Sequence, residues 1–307
     1  MAAPAVELGI VPLALRAPRS LWKDAWWQFR RHRLAMVALG VFAFLIVFTL
    51  AGPLFYTTKT DVIDFTLSLK GPSTDHALGT DDLGRDLLAR LMFGGRISIA
   101  VGVISVLLAI TLGTAIGAVA GFFRRFDNPL MRVTDLFLSL PVLPLLLVII
   151  YLFRDSLRSA FGPELGIFIM IVGVIGVLNW MPVARLVRAS FLSLKQKEFV
   201  EAARSIGAKD RRIIVRHILP NALSPVLVAA TIGVGGAILT ESTLSFLGLG
   251  FPSDVPTWGR ILYDARNYLD IAPHWAIFPG LAIFLTVLSI NFIGDGLRDA
   301  LDPRRSS

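Results

Sequence analysis

An all-α membrane protein with six transmembrane helices and both termini on the cytoplasmic side is the fold class predicted for this chain, and three observations carry it. Of 307 residues, 55% are apolar and only 17% charged, too apolar a balance for a water-soluble globule of this length. The charges avoid six windows: 34–58, 97–123, 136–153, 165–184, 218–240 and 271–294. Each can cross a bilayer, because about 20 residues at 1.5 Å rise cover a hydrocarbon core of about 30 Å. All 30 Lys and Arg lie outside the windows, and with the N-terminus inside, 21 fall on inner segments and 9 on outer loops. That asymmetry is the positive-inside pattern, and it selects N-in, C-in.

The same count explains the formal charge of +8: the inner segments carry 21 basic against 10 acidic residues, the outer loops 9 against 12. The basic excess faces the anionic inner leaflet, so it argues for a lipid bilayer as the charged partner and against nucleic acid. Cysteine is absent, which removes disulfides, thiolate metal sites and cysteine nucleophiles. The four histidines, His32, His76, His217 and His274, are scattered along the chain without an H-E-x-x-H spacing, so neither a metal site nor an enzyme is expected. No G-x-x-x-x-G-K-[ST] segment is present, so the chain should not hydrolyse ATP by itself.

The elements follow in order. No basic n-region precedes the short apolar stretch Leu8 to Leu15, so the first span is expected to act as an uncleaved anchor. Ser20 to Arg33 sets Trp22, Trp26 and Phe29 at helical spacing among Lys23, Arg30, Arg31 and Arg33, which reads either as an interfacial helix or as the flank of the first span. In the external loop 59–96, Thr80 is the expected N-cap of a short amphipathic helix bearing Leu83, Leu87 and Leu91. Asp81, Asp82 and Asp86 lack the alternating pattern of a calcium loop, and capping and solvation are expected of them.

Within the second span Gly113, Gly117 and Gly121 share one helix face suited to close packing, against another span or a second subunit. Asn179 and Trp180 interrupt the fourth span, and an interhelical hydrogen bond is the expected use of Asn179, with a pore-lining role as the alternative. No Asp, Glu, Lys or Arg lies inside any window, which counts against an ion-coupled carrier working alone.

The polar segment 185–217 holds nine basic residues yet has helical order. Phe199, Ala203 and Ile206 are expected on one face, and Gly207 stands where a glycine commonly ends a helix in the left-handed conformation. A second helix should begin near Lys209, with Pro220 and Asn221 marking entry to the fifth span. Two short helices joined by a glycine form a knob that can carry force, whereas a flexible linker would absorb it as entropy. A solvated basic loop obeying the positive-inside rule is the plainer alternative.

Glu201 to Pro220 reads E-A-A-R-S-I-G-A-K-D-R-R-I-I-V-R-H-I-L-P, and three further strings accompany it: L-G-T-D-D-L-G-R-D at Leu78 to Asp86, E-S-T-L-S-F-L-G-L-G from Glu241 with P-T-W-G at Pro256 to Gly259, and G-D-G-L-R-D-A-L-D-P at Gly294 to Pro303. Together these resemble the shorter permease subunit of the dipeptide, oligopeptide and nickel ABC importers, over nearly the whole chain. The resemblance implies a type I ABC importer permease fold in a bacterial inner membrane. It implies three kinds of partner: a homologous second permease, two ATPase subunits inside and a substrate-binding protein outside. ATP and Mg2+ then belong to the ATPase subunits, with no cofactor on this chain. Glu201, Ala202, Ala203 and Gly207 fall on the coupling positions of that family.

The expected organisation is an N-terminal tail, interfacial helix and first span over 1–58, an external loop over 59–96, and a five-helix core over 97–307 with its coupling loop at 185–217. Dipeptide or oligopeptide is the expected substrate, with nickel or another small solute as the alternative. A stand-alone carrier and a scaffold subunit are the competing classes. No residue of the substrate path is assigned by the sequence.

Overall fold

The computed structural model describes residues 21–301, in which all regular secondary structure is helical apart from one isolated bridge between Thr80 and Asp86. Leu8 to Leu15, and with it the anchor argument, lies outside the described residues. Five helical runs are long and apolar enough to cross a membrane, and a sixth results if one sharply bent pair counts as a span. Apart from its ends and interruptions, such a run satisfies its backbone polar groups internally, which is what a bilayer demands.

Helix α1 (Leu21–Arg31) buries Ala25 and Phe29 against Ala35 and Ala300 and leaves Trp26 and Trp27 exposed beside basic residues, the arrangement of an interfacial helix. His32 ends it and caps α2 (Arg33–Phe55), its Nδ1 accepting from the Ala35 amide at 3.1 Å.

The expected Thr80 cap is not found: α3 begins at Leu87 and runs unbroken to Phe122, with Asp86 as N-cap accepting from the Ala89 amide at 2.8 Å. Lead-in and second span are therefore one 36-residue helix. The physical reason is that the Thr80 hydroxyl donates to Leu67 O and accepts from the Lys70 amide at 3.0 Å, and Asp81 is likewise committed elsewhere. It is fully buried; its Oδ1 accepts from the amides of Leu83 and Arg85 at 3.0 and 2.8 Å, and its Oδ2 pairs with Arg85 Nε at 2.6 Å. Of the three aspartates, Asp86 caps as expected, whereas Asp81 is an internal strut rather than a solvated group.

Gly113, Gly117 and Gly121 all face α7 (Trp180–Leu194), where a Cβ would stand 2.6 Å from Trp180 O at Gly113 and 2.6 Å from the Phe191 Cβ at Gly121. The glycine face is thus an intrachain helix seam, not a subunit contact. Two Arg–Asp pairs, Arg188 with Asp127 and Arg185 with Asp135 at 2.5 Å, tie α7 to α4 (Arg124–Ser139).

The third window is not a straight span. Helices α4 and α5 (Val142–Phe161) meet at 87°, with Leu140 extended at φ −79°, ψ 138° ahead of Pro141. Proline disfavours the helical region for its predecessor and has no amide to donate, and at Pro141 the helix breaks where hydrophobicity alone continues. Helix α6 (Pro163–Leu178) follows and joins α7 across Asn179 in a single apolar run.

The fifth run also differs from expectation. Instead of a separate helix followed by entry at Pro220, a continuous run extends from Asp210 to Phe246: α9 (Asp210–Arg212), a π-helical turn at Ile213–Ile218 and α10 (Leu219–Phe246). It carries Glu241 just past the window 218–240, and α3 carries Arg90 and Arg96 ahead of the window 97–123, so the helices run beyond the charge-free windows. Short α11 (Trp258–Ala265) and long α12 (His274–Leu301) are the last elements of the described residues. The main core lies between α5, α6 and α10 around Leu146, Ile150, Ile167, Ile171, Ile175 and Leu244.

Candidate functional site

Three features are built from polar or strained residues within this apolar frame: a knob, a cavity and an outer cap. The knob is α8 (Glu198–Ser205) with its turn. Gly207 has φ +81°, a region that favours glycine, and closes a double hydrogen-bonded stop: its amide donates to Arg204 O at 2.9 Å and the Ala208 amide to Ala203 O at 3.0 Å. Underneath, Val200 and Ala203 pack with Ile213, Ile218, Val187, Phe191 and Phe122. The expected single face of Phe199, Ala203 and Ile206 does not exist. Ala203 points inward, while Phe199 and Ile206 are 39% and 86% exposed, since α8 is too short for a 3.6-residue stripe to stay on one side once the turn begins. Glu201, Ala202 and Gly207 are exposed and Ala203 is buried. The four positions thus lie on one knob, three outside and one in its core.

Both legs of the knob lead to a cavity of 570 Å3 lined by α3, the α6–α7 run and α10. The leg before the knob contributes Pro182, Val183 and Leu186, and the leg after it contributes Ala229, Gly236 and Thr240. None of the lining residues is charged. Asn179 sits on this wall; its Nδ2 donates to Ile175 O at 2.7 Å within its own helix, so the expected interhelical hydrogen bond is replaced by a back-bond at the α6–α7 break.

On the opposite end from the knob, the Leu78 to Asp86 segment folds into a cap. Gly79 and Gly84 have φ +83° and +74°. Asp81 faces Arg85 and, at 3.6 Å, the buried Arg90; Arg90 lies 3.7 Å from Asp264, which Arg260 binds at 2.8 Å. Arg85 and Arg90 both donate to Ser253 O, at 3.3 and 3.2 Å, which stitches the cap to the loop before α11. Burial pushes the Asp264 carboxyl above the usual carboxylate range, with Arg260 and Arg90 pulling the other way. Asp82 is raised as well, by burial first and the neighbouring Asp81 second.

Glu241 is wholly buried among hydroxyls: Ser245 Oγ donates at 2.8 Å and Ser98 Oγ at 3.2 Å, and the Trp258 amide donates in turn to Ser98 Oγ at 3.3 Å. One carboxylate therefore joins α3, α10 and α11. Glu241 opens the E-S-T-L-S-F-L-G-L-G string, but sequence alone assigns neither this role to it nor the cavity. The signal available was the run of hydroxyls at 242, 243 and 245 after Glu241, which is unusual in an apolar helix.

Residues 109–307 match the family model described as "Binding-protein-dependent transport system inner membrane component", and residues 20–72 match "N-terminal TM domain of oligopeptide transport permease C". The chain is 40% identical over 289 residues to the dipeptide transport system permease protein DppC of Alkalihalophilus pseudofirmus, covering 94% of this chain and 91% of that protein. It is 39% identical over 296 residues to the glutathione transport system permease protein GsiD of Pectobacterium atrosepticum, covering 95% and 94%. It is 40% identical over 289 residues to the oligopeptide transport system permease protein OppC of Haemophilus influenzae, covering 93% and 89%. A chain of the MetNI methionine ABC transporter, solved in inward-facing conformations, shares the fold at a TM-score of 0.55 and 20% identity over 70% of this chain and 96% of that one. With its apolar helical runs, the chain therefore belongs to the family of binding-protein-dependent transport system inner membrane components and is a multi-pass permease subunit of an ABC importer.

Proposed function

We propose that this permease imports dipeptides or oligopeptides, forming the path with a homologous second permease, taking solute from an extracytoplasmic binding protein and drawing energy from two ATPase subunits that hold ATP and Mg2+. The termini and the knob lie on the cytoplasmic side in this reading, in agreement with the distribution of basic residues. Glu201, Ala202, Ala203 and Gly207 form the coupling element that an ATPase subunit grips.

The observation that carries the coupling role is the knob itself: an apolar side chain, Ile206, exposed at the tip of a helix whose other face is locked into a buried cluster. Exposure offers a surface to grip, and the cluster beneath prevents the force from being lost in local bending. Because both legs of the knob also line the cavity, displacement of the knob moves the cavity walls. Relatives named for dipeptide, oligopeptide and glutathione transport support a peptide-like solute.

Reconstitution of the four kinds of subunit in liposomes tests the reading. Labelled dipeptide should accumulate only with ATP, both ATPase subunits and the binding protein present. Uptake by this chain alone would replace the importer with a carrier, and ATP-driven uptake of nickel without peptide would replace the substrate.

A further inference from the structure

Helix α1 commits its apolar side to the protein. Ala25 and Phe29 are buried against Ala35 and Ala300, and the Phe29 ring fills the space left at Gly296, where a Cβ would stand 3.1 Å from it. Gln28 Nε2 donates to Asp299 O at 3.0 Å, so the same side is also hydrogen-bonded to the end of α12. What α1 leaves uncovered is a second face. Lys23, Trp26, Trp27 and Arg30, at spacings of three and four residues, are all exposed, with Arg31 and Arg33 exposed beside them.

Trp26 and Trp27 are 50% and 57% exposed. Indole rings this open suit the headgroup zone, where an amphipathic ring finds both apolar and polar neighbours. Trp26 is steadied there by stacking on Phe29, the ring centroids 6.1 Å apart at 12°. The depth agrees: α2 starts at Arg33, exposed apolar side chains resume at Leu34 and Val37, and that run is long enough to cross the membrane, so the stripe stands where hydrocarbon ends.

Charge selects the headgroup. Residues 21–33 hold four cations, Lys23, Arg30, Arg31 and Arg33, against one acid, Asp24. The dipole of α1 accounts for Arg30 and Arg31 in its last turn but not for Lys23 near its start. An amphipathic helix usually binds a bilayer by sinking its apolar face among acyl chains, a route closed here because that face lies on α2 and α12. Attraction between cations and an anionic surface is left to hold the stripe to lipid.

We propose that α1 is a docking surface for anionic phospholipid headgroups: Lys23, Arg30, Arg31 and Arg33 pair with phosphate oxygens while the Trp26 and Trp27 rings lie between neighbouring headgroups. Through Gln28 and Phe29 the bound lipid holds the end of α12 at the membrane surface. That the leaflet is the inner one rests on the orientation read for the permease above.

The test uses the assembled importer in phosphatidylcholine vesicles carrying a trace of phosphatidylglycerol with a photoactivatable headgroup, the crosslinks being mapped by mass spectrometry. Crosslinks should fall within residues 23–33. Unlabelled phosphatidylglycerol should compete them away, whereas inorganic phosphate at matched ionic strength should not. The same photoactivatable group on phosphatidylcholine should label this stretch far less. Arg30→Gln together with Arg31→Gln should cut the phosphatidylglycerol yield about thirtyfold, the change to which ~2 kcal/mol for two basic residues at an anionic surface converts. Arg30→Lys with Arg31→Lys retains the charges and should retain the labelling, which separates loss of charge from loss of fold.

The proposal is overturned if the two lipids label residues 23–33 equally, if the Gln pair labels like the parent chain, or if the Lys pair labels as poorly as the Gln pair. It is equally overturned if phosphate competes, which would make this a site for free anions, or if no lipid reaches the stretch, which would mean that another subunit covers it. Failure of the permease reading shows separately. Labelling from the leaflet opposite the ATPase subunits would keep the surface and reverse the orientation, and absent dipeptide uptake would remove the substrate while leaving the labelling pattern untouched.

Discussion

Gly207 permits a graded perturbation of the knob with no steric side effect. A Cβ there meets no atom within 4 Å, so any substitution acts only through φ +81°. Holding an ordinary L-residue in the left-handed region costs about 1–2 kcal/mol, more for a β-branched residue, whereas asparagine tolerates it. The alternative is to unwind the turn, losing the hydrogen bonds from the Gly207 and Ala208 amides at 2.9 and 3.0 Å. Each is worth about 1 kcal/mol, so the two routes cost the same to within the scatter of such values. A strain of ~1.4 kcal/mol changes the ratio of intact to unwound turn tenfold, which sets the upper limit of the effect. Uptake per ATP hydrolysed, measured in reconstituted complex with binding protein, should therefore fall in the order Gly, Asn, Ala, Val, reaching about a tenfold loss at Gly207→Val. Membrane insertion should be unchanged. Normal uptake and normal stimulated ATPase activity in Gly207→Val would refute the coupling assignment, and so would an Asn variant as impaired as Val, because then backbone conformation is not what matters.

Three further outcomes follow from the packing. Arg90→Ala removes the more distant of the two cations beside Asp81 and the hydrogen bond to Ser253 O, and should lower the stability of the detergent-solubilised complex by about 1–3 kcal/mol, read as a fall in melting temperature. Gly117→Val forces a side chain against Ala184 O and Val187 and should destabilise the α3–α7 seam by about 1–3 kcal/mol, read as faster proteolysis or a lower melting temperature. Asp82 has a carboxyl pKa raised in the folded state, so the folded protein binds more protons than the unfolded one between the unfolded and folded values, and stability falls as pH rises through that window. Asp82→Asn should accordingly melt higher than the parent chain at neutral pH, with the difference shrinking as pH falls towards about 4, where aspartate ordinarily titrates.

The spans were legible because exclusion of charge from a bilayer core is a one-dimensional property, readable residue by residue. Their ends were not. Asp210 to His217 is polar enough to read as a separate loop helix, yet backbone hydrogen bonding is indifferent to side-chain charge and carries one helix from Asp210 through to Phe246. The break before Pro141 was overlooked because hydropathy does not register a missing amide, although the proline itself was the available sign. Asp81 was misread for a different reason. Its partners Arg85 and Arg90 are close in sequence, but the rest of the cluster, Asp264 and Ser253, is more than 150 residues away, and a local reading sees only an acid ahead of a helix. At the knob, Gly207 was legible because a left-handed stop has a residue signature; which of Phe199, Val200, Ala203 and Ile206 faces inward depends on the long helix beneath. The cavity was invisible in sequence, since its wall is made mostly of ordinary apolar residues and glycine brought together from α3, α6, α7 and α10.

The two legs of the knob are mechanically unlike. The leg after it is one continuous helical run: 31 residues from Asp210 to Thr240, at about 1.5 Å each, make a lever about 45 Å long. The leg before it has a joint at Asn179, where the α6–α7 run is interrupted. A stiff arm beside a jointed arm opens as a wedge rather than sliding in parallel. A tilt of about 5° at one end of a 45 Å rod shifts the other by about 4 Å, close to the ~4.8 Å that separates neighbouring peptide strands. On the coupling role proposed for the knob, a small rotation there would match the width of a single extended chain.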